Sequence, residues 1–334
     1  MFIVESYVVA VIFCVITMTC WGSFANTQKL AAKSWRYELY YWDYVIGMLL
    51  FSLILAFTMG SIGEKGRPFI QDFLQADEAA LVSVMIGGAV FNLGNILLSA
   101  ATSIAGMAVA FPLGVGLSLV LGTIINYIGA PKGNPLLLFL GVGLIVVAII
   151  FNAVASKMNQ GKEKRVGSTK GLLIAVAAGV ALSFFYRFVA AAMDLDNFAS
   201  PAAGKVTPYT AIVFFSVGVF ISNIIFNTIL MKRPFVGEAV TYKQYFKGAI
   251  GTHAVGMLGG AIWCLGTAFS YIASGMAGAA ISYALGQGSP LVATIWGVFV
   301  WKEFKGAKSK VYYLLALMFA IFVAGLGMIV ISGN

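Results

Sequence analysis

The chain holds 334 residues, 60% of them hydrophobic and only 10% charged, with a mean hydropathy of +0.94. That excludes a soluble domain, in which about a quarter of the residues carry charge. The net charge of +9 would suit a nucleic-acid partner, but the basic residues are sorted between loops in a way that reports membrane topology instead.

Ten apolar runs succeed one another, each near the ~20 residues that a helix needs to cross a hydrocarbon core of about 30 Å. They fall at about 7–30, 43–62, 79–100, 103–129, 134–155, 171–192, 208–231, 248–272, 274–300 and 311–332. The first follows six residues, none basic, and carries Thr17, Thr19, Trp21, Ser23 and Asn26. A membrane helix rather than a cleaved signal peptide is expected there. Its stripe of Thr19, Ser23 and Asn26 is a candidate wall for a substrate. Trp35, Tyr37, Tyr40, Tyr41, Trp42 and Tyr44 gather where the second run opens, and read as an interfacial aromatic belt. In the third run Gly88, Asn92, Asn95 and Ser99 recur at helical spacing and share one face. Pro112 and Pro290 lie inside the fourth and ninth runs, where the missing amide hydrogen must be compensated by neighbours or a cavity. The seventh run carries another polar stripe, Ser216, Asn223 and Asn227.

The fifth run ends in a polar segment, 157–170 (KMNQGKEKRVGSTK), that separates five runs from five. Its stretch Gly161 to Lys170 resembles a phosphate-binding loop only superficially. Gly167 is followed by Ser168, Thr169 and Lys170 in the wrong order, and no strand precedes it. Of the 21 basic residues, 16 lie in the loops after the odd-numbered runs, among them Lys33, Lys162 and Lys302, against Lys65, Arg67, Lys132 and Lys205 on the other side. Positive charge stays inside, so the first set is expected to be cytoplasmic and both termini periplasmic in a bacterial inner membrane.

Residues 87–128 align without gaps on 259–300, fourteen of the 42 pairs being identical, Gly87/Gly259, Gly94/Gly266, Gly106/Gly278 and Gly114/Gly286 among them. With an odd number of spans per half, the second copy enters the membrane upside down. The expected fold is therefore all-α, a polytopic membrane protein of ten transmembrane helices. Residues 1–156 form one five-helix repeat, 157–170 a basic cytoplasmic linker, and 171–334 the inverted second repeat. Such repeats place a substrate site near the midplane between the halves and open it alternately to each side, so a secondary transporter is expected. Many of the 38 glycines would serve close helix packing.

The scaffold is symmetric but its polar lining is not: Asn92 and Asn95 face Cys264 and Thr267 in the repeat, while Tyr283 and Gln287 replace Phe111 and Val115. Carboxamides, hydroxyls and an aromatic platform suit a neutral polar molecule. Asn92, Asn95, Trp263, Thr267, Tyr283, Gln287, Ser23 and Asn26 are the candidate substrate contacts. Ionisable groups inside spans are functional candidates by default. Glu5, Asp43 and Arg187 are the candidates for proton coupling, with Arg187 pairing with Glu5, reaching Asp194 or snorkelling outward. His253, the sole histidine, is weak evidence alone. Cys14, Cys20 and Cys264 make no metal cluster, and no catalytic constellation is present. Neither an enzyme nor a cofactor is expected.

Val4-Glu5-Ser6, Tyr41-Trp42-Asp43-Tyr44, Asn92-Leu93-Gly94-Asn95, and Gly122-Thr123 with Asn126-Tyr127 resemble the glucose/ribose porter and ureide permease branch of the drug/metabolite transporter superfamily. The resemblance implies proton symport of a neutral metabolite. A monosaccharide such as ribose or glucose is the first expectation, because the long central loop of plant members is missing. A ureide or nucleobase permease and a drug or amino-acid exporter are the alternatives. The partners implied are a small-molecule substrate, protons and the lipid bilayer, with no nucleic acid and a homodimer left open.

Overall fold

The computed structural model describes residues 1–31, 35–159 and 169–334. Lys33 and most of the polar linker, residues 160–168, lie outside the described residues. The helices in chain order are α1 (Tyr7–Ser23), α2 (Ala25–Leu30), α3 (Tyr37–Phe57), α4 (Phe69–Gln75), α5 (Glu78–Ala105), α6 (Met107–Gly129), α7 (Pro135–Asn159), α8 (Thr169–Ala192), α9 (Pro208–Lys232), α10 (Tyr242–Phe246), α11 (Ile250–Ala277), α12 (Ala279–Gly286), α13 (Ser289–Ile295), which runs into a π-helical turn (Trp296–Val300), and α14 (Ser309–Ser332). The chain is a polytopic, all-helical membrane protein. Among the described residues, nine stretches are long and apolar enough to span a bilayer.

The ninth expected span, 274–300, is the one that differs. It is interrupted after Gly286, where Gln287 and Gly288 separate α12 from α13, and again where α13 widens into the π turn. Pro290 sits in the first turn of α13, where its missing N–H costs nothing. The first span is likewise divided, at Phe24, into α1 and α2.

Two of the long helices match in length and spacing. α5 and α11 are both 28 residues long and begin and end 172 positions apart. Each ends at a glycine with φ +85°, Gly106 and Gly278, so a single residue reverses the chain into the next helix. L side chains rarely adopt that conformation, which explains the glycine at both positions. Packing is reciprocal as well. α5 lies on α8 and α9, and α11 lies on α1 and α3; α6 packs on α8, and α12 and α13 pack on α1. α3 meets α9, and α7 meets α14, across the two halves.

α3 and α11 approach closely enough that a Cβ on Gly260 would stand 1.9 Å from the Tyr44 carbonyl oxygen. Small residues allow this where lipid supplies no hydrophobic drive to bring helices together.

Candidate substrate cavity

Tyr37, Tyr40, Tyr41 and Tyr44 recur at i, i+3, i+4 and i+7 and so share a face of α3. α3 packs against both α9 and α11, which places that face inside the protein. Tyr40, Tyr41 and Tyr44 are at most 2% exposed. The expected aromatic belt is therefore overturned for these residues: they wall a cavity of about 160 Å³. The Tyr41 and Tyr44 rings stack with centroids 5.4 Å apart, and Tyr37 stacks on Tyr41 at 5.3 Å. Phe24, Ala25 and Gln28, Asn95, Leu98, Ser99 and Thr102 of α5, and Phe111 of α6 complete the walls. None of the lining residues carries a charge. All come from the first half of the chain, whereas the repeat argument places the site between the halves. The second half backs the cavity instead of lining it.

The backing begins at Tyr41. Its hydroxyl donates to Asn92 Oδ1 at 2.9 Å and accepts from Asn95 Nδ2 at 3.1 Å. Asn95 thus reaches the cavity directly, while Asn92, fully buried, reaches it through Tyr41 and anchors to Ser222 Oγ of α9 at 2.9 Å. Trp263 lies beneath Tyr44, ring edge to ring face at 6.4 Å, stacked between Trp21 and Phe215 at 5.8 Å each. Thr267 accepts from Trp21 Nε1 at 3.0 Å and fixes that stack. Tyr283 is buried elsewhere, its hydroxyl 2.7 Å from Ser118 Oγ, and Gln287 stands at the break between α12 and α13. Ser23 and Asn26 are taken up by tryptophans: Ser23 Oγ accepts from Trp296 Nε1 at 2.9 Å and Asn26 Oδ1 from Trp301 Nε1 at 2.6 Å. Thr19 is exposed on the outside of α1 and bonds back to Val15 O. On α9, Asn227 donates to Glu38 O at 2.9 Å, while both polar atoms of Asn223 are buried without a partner.

The ionisable candidates separate. Glu5 pairs with Lys65, both exposed, and not with Arg187. Asp194 is likewise engaged elsewhere, accepting from Ala202 N–H at 2.9 Å. Arg187 extends from α8 across α6, where a Cβ on Gly129 would meet its guanidinium carbon at 2.3 Å. Asp43 is fully buried and bonded to the one histidine, His253, at 2.7 Å. Nothing in the sequence signals that the two meet across 210 positions.

The two ends of the bundle differ in what lies beside the tyrosine cavity. A second cavity, of about 360 Å³, shares Tyr37 and Ser99 with the first and reaches Arg36, Ser103 and Val236 on the side of the basic loops. At the opposite end the Met1 amino group donates to Lys65 O at 2.7 Å and Tyr209 OH to Phe2 O at 3.0 Å. Arg67 Nε bonds Asp72 Oδ1 at 3.0 Å, and Asp72 Oδ2 accepts from Thr207 N–H at 2.7 Å. The Tyr209–Phe2 and Thr207–Asp72 contacts join the first half to the second.

The profile of the ureide permease family matches residues 40–170 and 161–332, nearly the whole chain. The chain belongs to the ureide permease family. Its similarity to ureide permease 4 of Arabidopsis thaliana is 24% identity, covering 100% of this chain and 99% of that protein. Similarity extends to bacteria. The putative ribose uptake protein RbsU of Latilactobacillus sakei subsp. sakei (strain 23K) is 22% identical over 84% of the chain and 86% of its own length. The L-rhamnose-proton symporter of Yersinia pestis bv. Antiqua (strain Antiqua) is 29% identical over 44% of the chain and 45% of its own. A crystal structure at 15% identity covers 97% of the chain and 98% of its own with a TM-score of 0.56, a likeness of fold alone. With plant and bacterial proteins both among the relatives, the comparisons do not carry the expectation of a bacterial inner membrane. A family of permeases is one of transporters, not of enzymes.

Proposed function

We propose that this permease moves a small neutral polar metabolite, of the ureide class, across the membrane by alternating access, with the tyrosine cavity as its binding site. The observation that carries the reading is the lining: four tyrosines, Phe24 and Phe111 supply apolar ring faces, and Asn95, Gln28, Ser99 and Thr102 supply uncharged donors and acceptors. Such a surface holds a flat or puckered polar solute by its face and its edge, and an ionic solute would lose hydration without a counter-charge. The Arabidopsis relatives' names favour ureides over the monosaccharide expected from sequence. The names of RbsU and the rhamnose symporter favour a sugar, the second reading, and the latter's name also supports proton coupling.

In this reading the basic loops are cytoplasmic, the two halves are inverted repeats, and the structure is closed outside and open inside. Asn92, Trp263 and Thr267 position the cavity walls. Counterflow into proteoliposomes with allantoin, uracil, ribose and rhamnose tests the substrate class. Exchange of allantoin but of neither sugar is expected, and sugar exchange alone overturns the ureide assignment. Cysteines at Ser168 and Asn334 in a cysteine-free background should label from opposite sides with an impermeant maleimide; labelling from the same side refutes the topology.

A further inference from the structure

The substrate cavity leaves the Asp43 cluster without a task. Asp43 takes three donors at its carboxylate: Trp35 Nε1 on Oδ2 at 3.0 Å, and Tyr245 OH and His253 Nδ1 on Oδ1 at 2.7 Å each. An ionised carboxylate is an acceptor only, so three donors fit it well. The imidazole is then held with Nδ1–H toward Asp43, and Nε2 is the nitrogen left to exchange a proton.

Nε2 faces Gly248, where a Cβ would stand 2.6 Å from it and 2.5 Å from the Trp35 ring. Gly248 and Trp35 in turn border a cavity of about 350 Å³ on the side of the basic loops, shared with Gln244, Lys247 and Thr252. The His253 side chain is 18% exposed, against 0% for Asp43, so the histidine has the route to water. The charged groups around that cavity are Lys247 and Arg36, and Arg36 is engaged by Glu38 at 2.6 Å. From α3, Tyr40 lies one turn before Asp43, its hydroxyl 2.6 Å from Thr27 Oγ1. From α10, Tyr245 faces both the carboxylate and the imidazole ring, 4.8 Å from the latter. From α11, Gly256 lies against Asp43, a Cβ there standing 2.4 Å from Asp43 Cβ.

The same helix contact bounds the substrate cavity. Asp43 stands between Tyr40 and Tyr44 on α3, and the next residues of α11, Gly259 and Gly260, lie against Tyr40 and Tyr44. We infer that Asp43 and His253 form the proton-binding site of the transporter, exchanging protons between His253 Nε2 and the basic-face cavity, and that their charge state sets how firmly α3 is held to α11. The step is simple: a proton from water adds to the Nε2 lone pair and converts imidazole to imidazolium, and release returns it to water. The ion pair binds the helices more tightly than the neutral ring does, because protonation adds the attraction of a full positive charge to a hydrogen bond whose acceptor is already charged. The inference rests on the transport reading above.

Because His253 is the only histidine, ¹⁵N-histidine NMR of the unaltered protein in nanodiscs reads the site directly. A single protonation of the ring, at Nε2, is expected, with Nδ1–H kept throughout. Its midpoint should shift by about 0.7 pH unit or more with saturating substrate, the equivalent of a fivefold coupling. In proteoliposomes, Asp43→Asn and His253→Gln should lower pH-gradient-driven accumulation by about tenfold while counterflow persists. A histidine that does not titrate, a midpoint that substrate leaves in place, or a His253→Gln protein that accumulates normally overturns the proton site. If the variants do not fold, the NMR result decides alone. Absence of wild-type counterflow for every solute sinks the transport reading, whereas counterflow without any effect of pH sinks only the proton site.

Discussion

Removing the Tyr41 hydroxyl tests how the cavity wall is tied to the rest of the bundle. In Tyr41→Phe two hydrogen bonds disappear, one to Asn92 Oδ1 and one from Asn95 Nδ2. The two losses differ in cost. Asn92 is fully buried, so its Oδ1 is left as an unsatisfied acceptor at about 1–3 kcal/mol, whereas Asn95 borders the cavity and can turn to water, for a net loss of about 0.5–1.5 kcal/mol. Substrate affinity should fall too, by roughly fivefold for about 1 kcal/mol, because Asn95 is no longer held in place. A double-mutant cycle isolates the cause. In an Asn92→Leu background the orphaned acceptor is gone, and Ser222 keeps a partner through its 3.0 Å bond to Val219 O. Tyr41→Phe should then cost less by about 1 kcal/mol or more. The measurements are chemical denaturation in detergent and calorimetric titration with the transported solute. Equal costs in both backgrounds, or a Tyr41→Phe protein as stable as wild type, would refute the argument.

Three further outcomes are expected. Gly260→Ala places a Cβ 1.9 Å from the Tyr44 carbonyl, backbone against backbone, and should destabilise by about 1–3 kcal/mol. Gly116→Ala, with nothing within 4 Å of the new carbon, should be neutral or slightly stabilising, and equal melting temperatures for the two would contradict the packing account. Asp72→Asn weakens the contacts of Arg67 and Thr207 at the end opposite the basic loops by about 1.5–3 kcal/mol, seen as faster hydrogen exchange around 59–76 and 200–207. Unchanged exchange there would mean that this end is held by other contacts. Burial, and then its bond to the Asp43 carboxylate, push the Tyr245 hydroxyl well above its ordinary value. A raised value favours the protonated, folded form, so its contribution is complete below the ordinary pKa of about 10 and is lost as pH rises beyond it. Alkaline melting curves should therefore fall less steeply above that pH in Tyr245→Phe, and parallel curves would count against a buried, protonated Tyr245.

Much of the fold is legible in the residues. Apolar run length gives the spans, and the 172-residue offset that aligns Gly106 with Gly278 marks the point where both halves turn on a single residue of positive φ. The spacing of Asn92 and Asn95 places them on one face of α5, and the structure joins both to Tyr41. The spacing of Tyr37, Tyr40, Tyr41 and Tyr44 held the same information about α3, but their position near a span end pointed to the membrane interface. What decided between cavity and interface was the packing of α3 against α9 and α11. Periodicity defines a face without saying what covers it, and in a bilayer hydropathy does not help, since lipid and protein interior are both apolar. The partners of the ionisable groups were decided by tertiary structure alone: Glu5 meets Lys65, and Asp43 meets His253 and Tyr245. A buried charge must find compensation somewhere, and only the folding of α10 and α11 onto α3 both buries Asp43 and determines which partners it has.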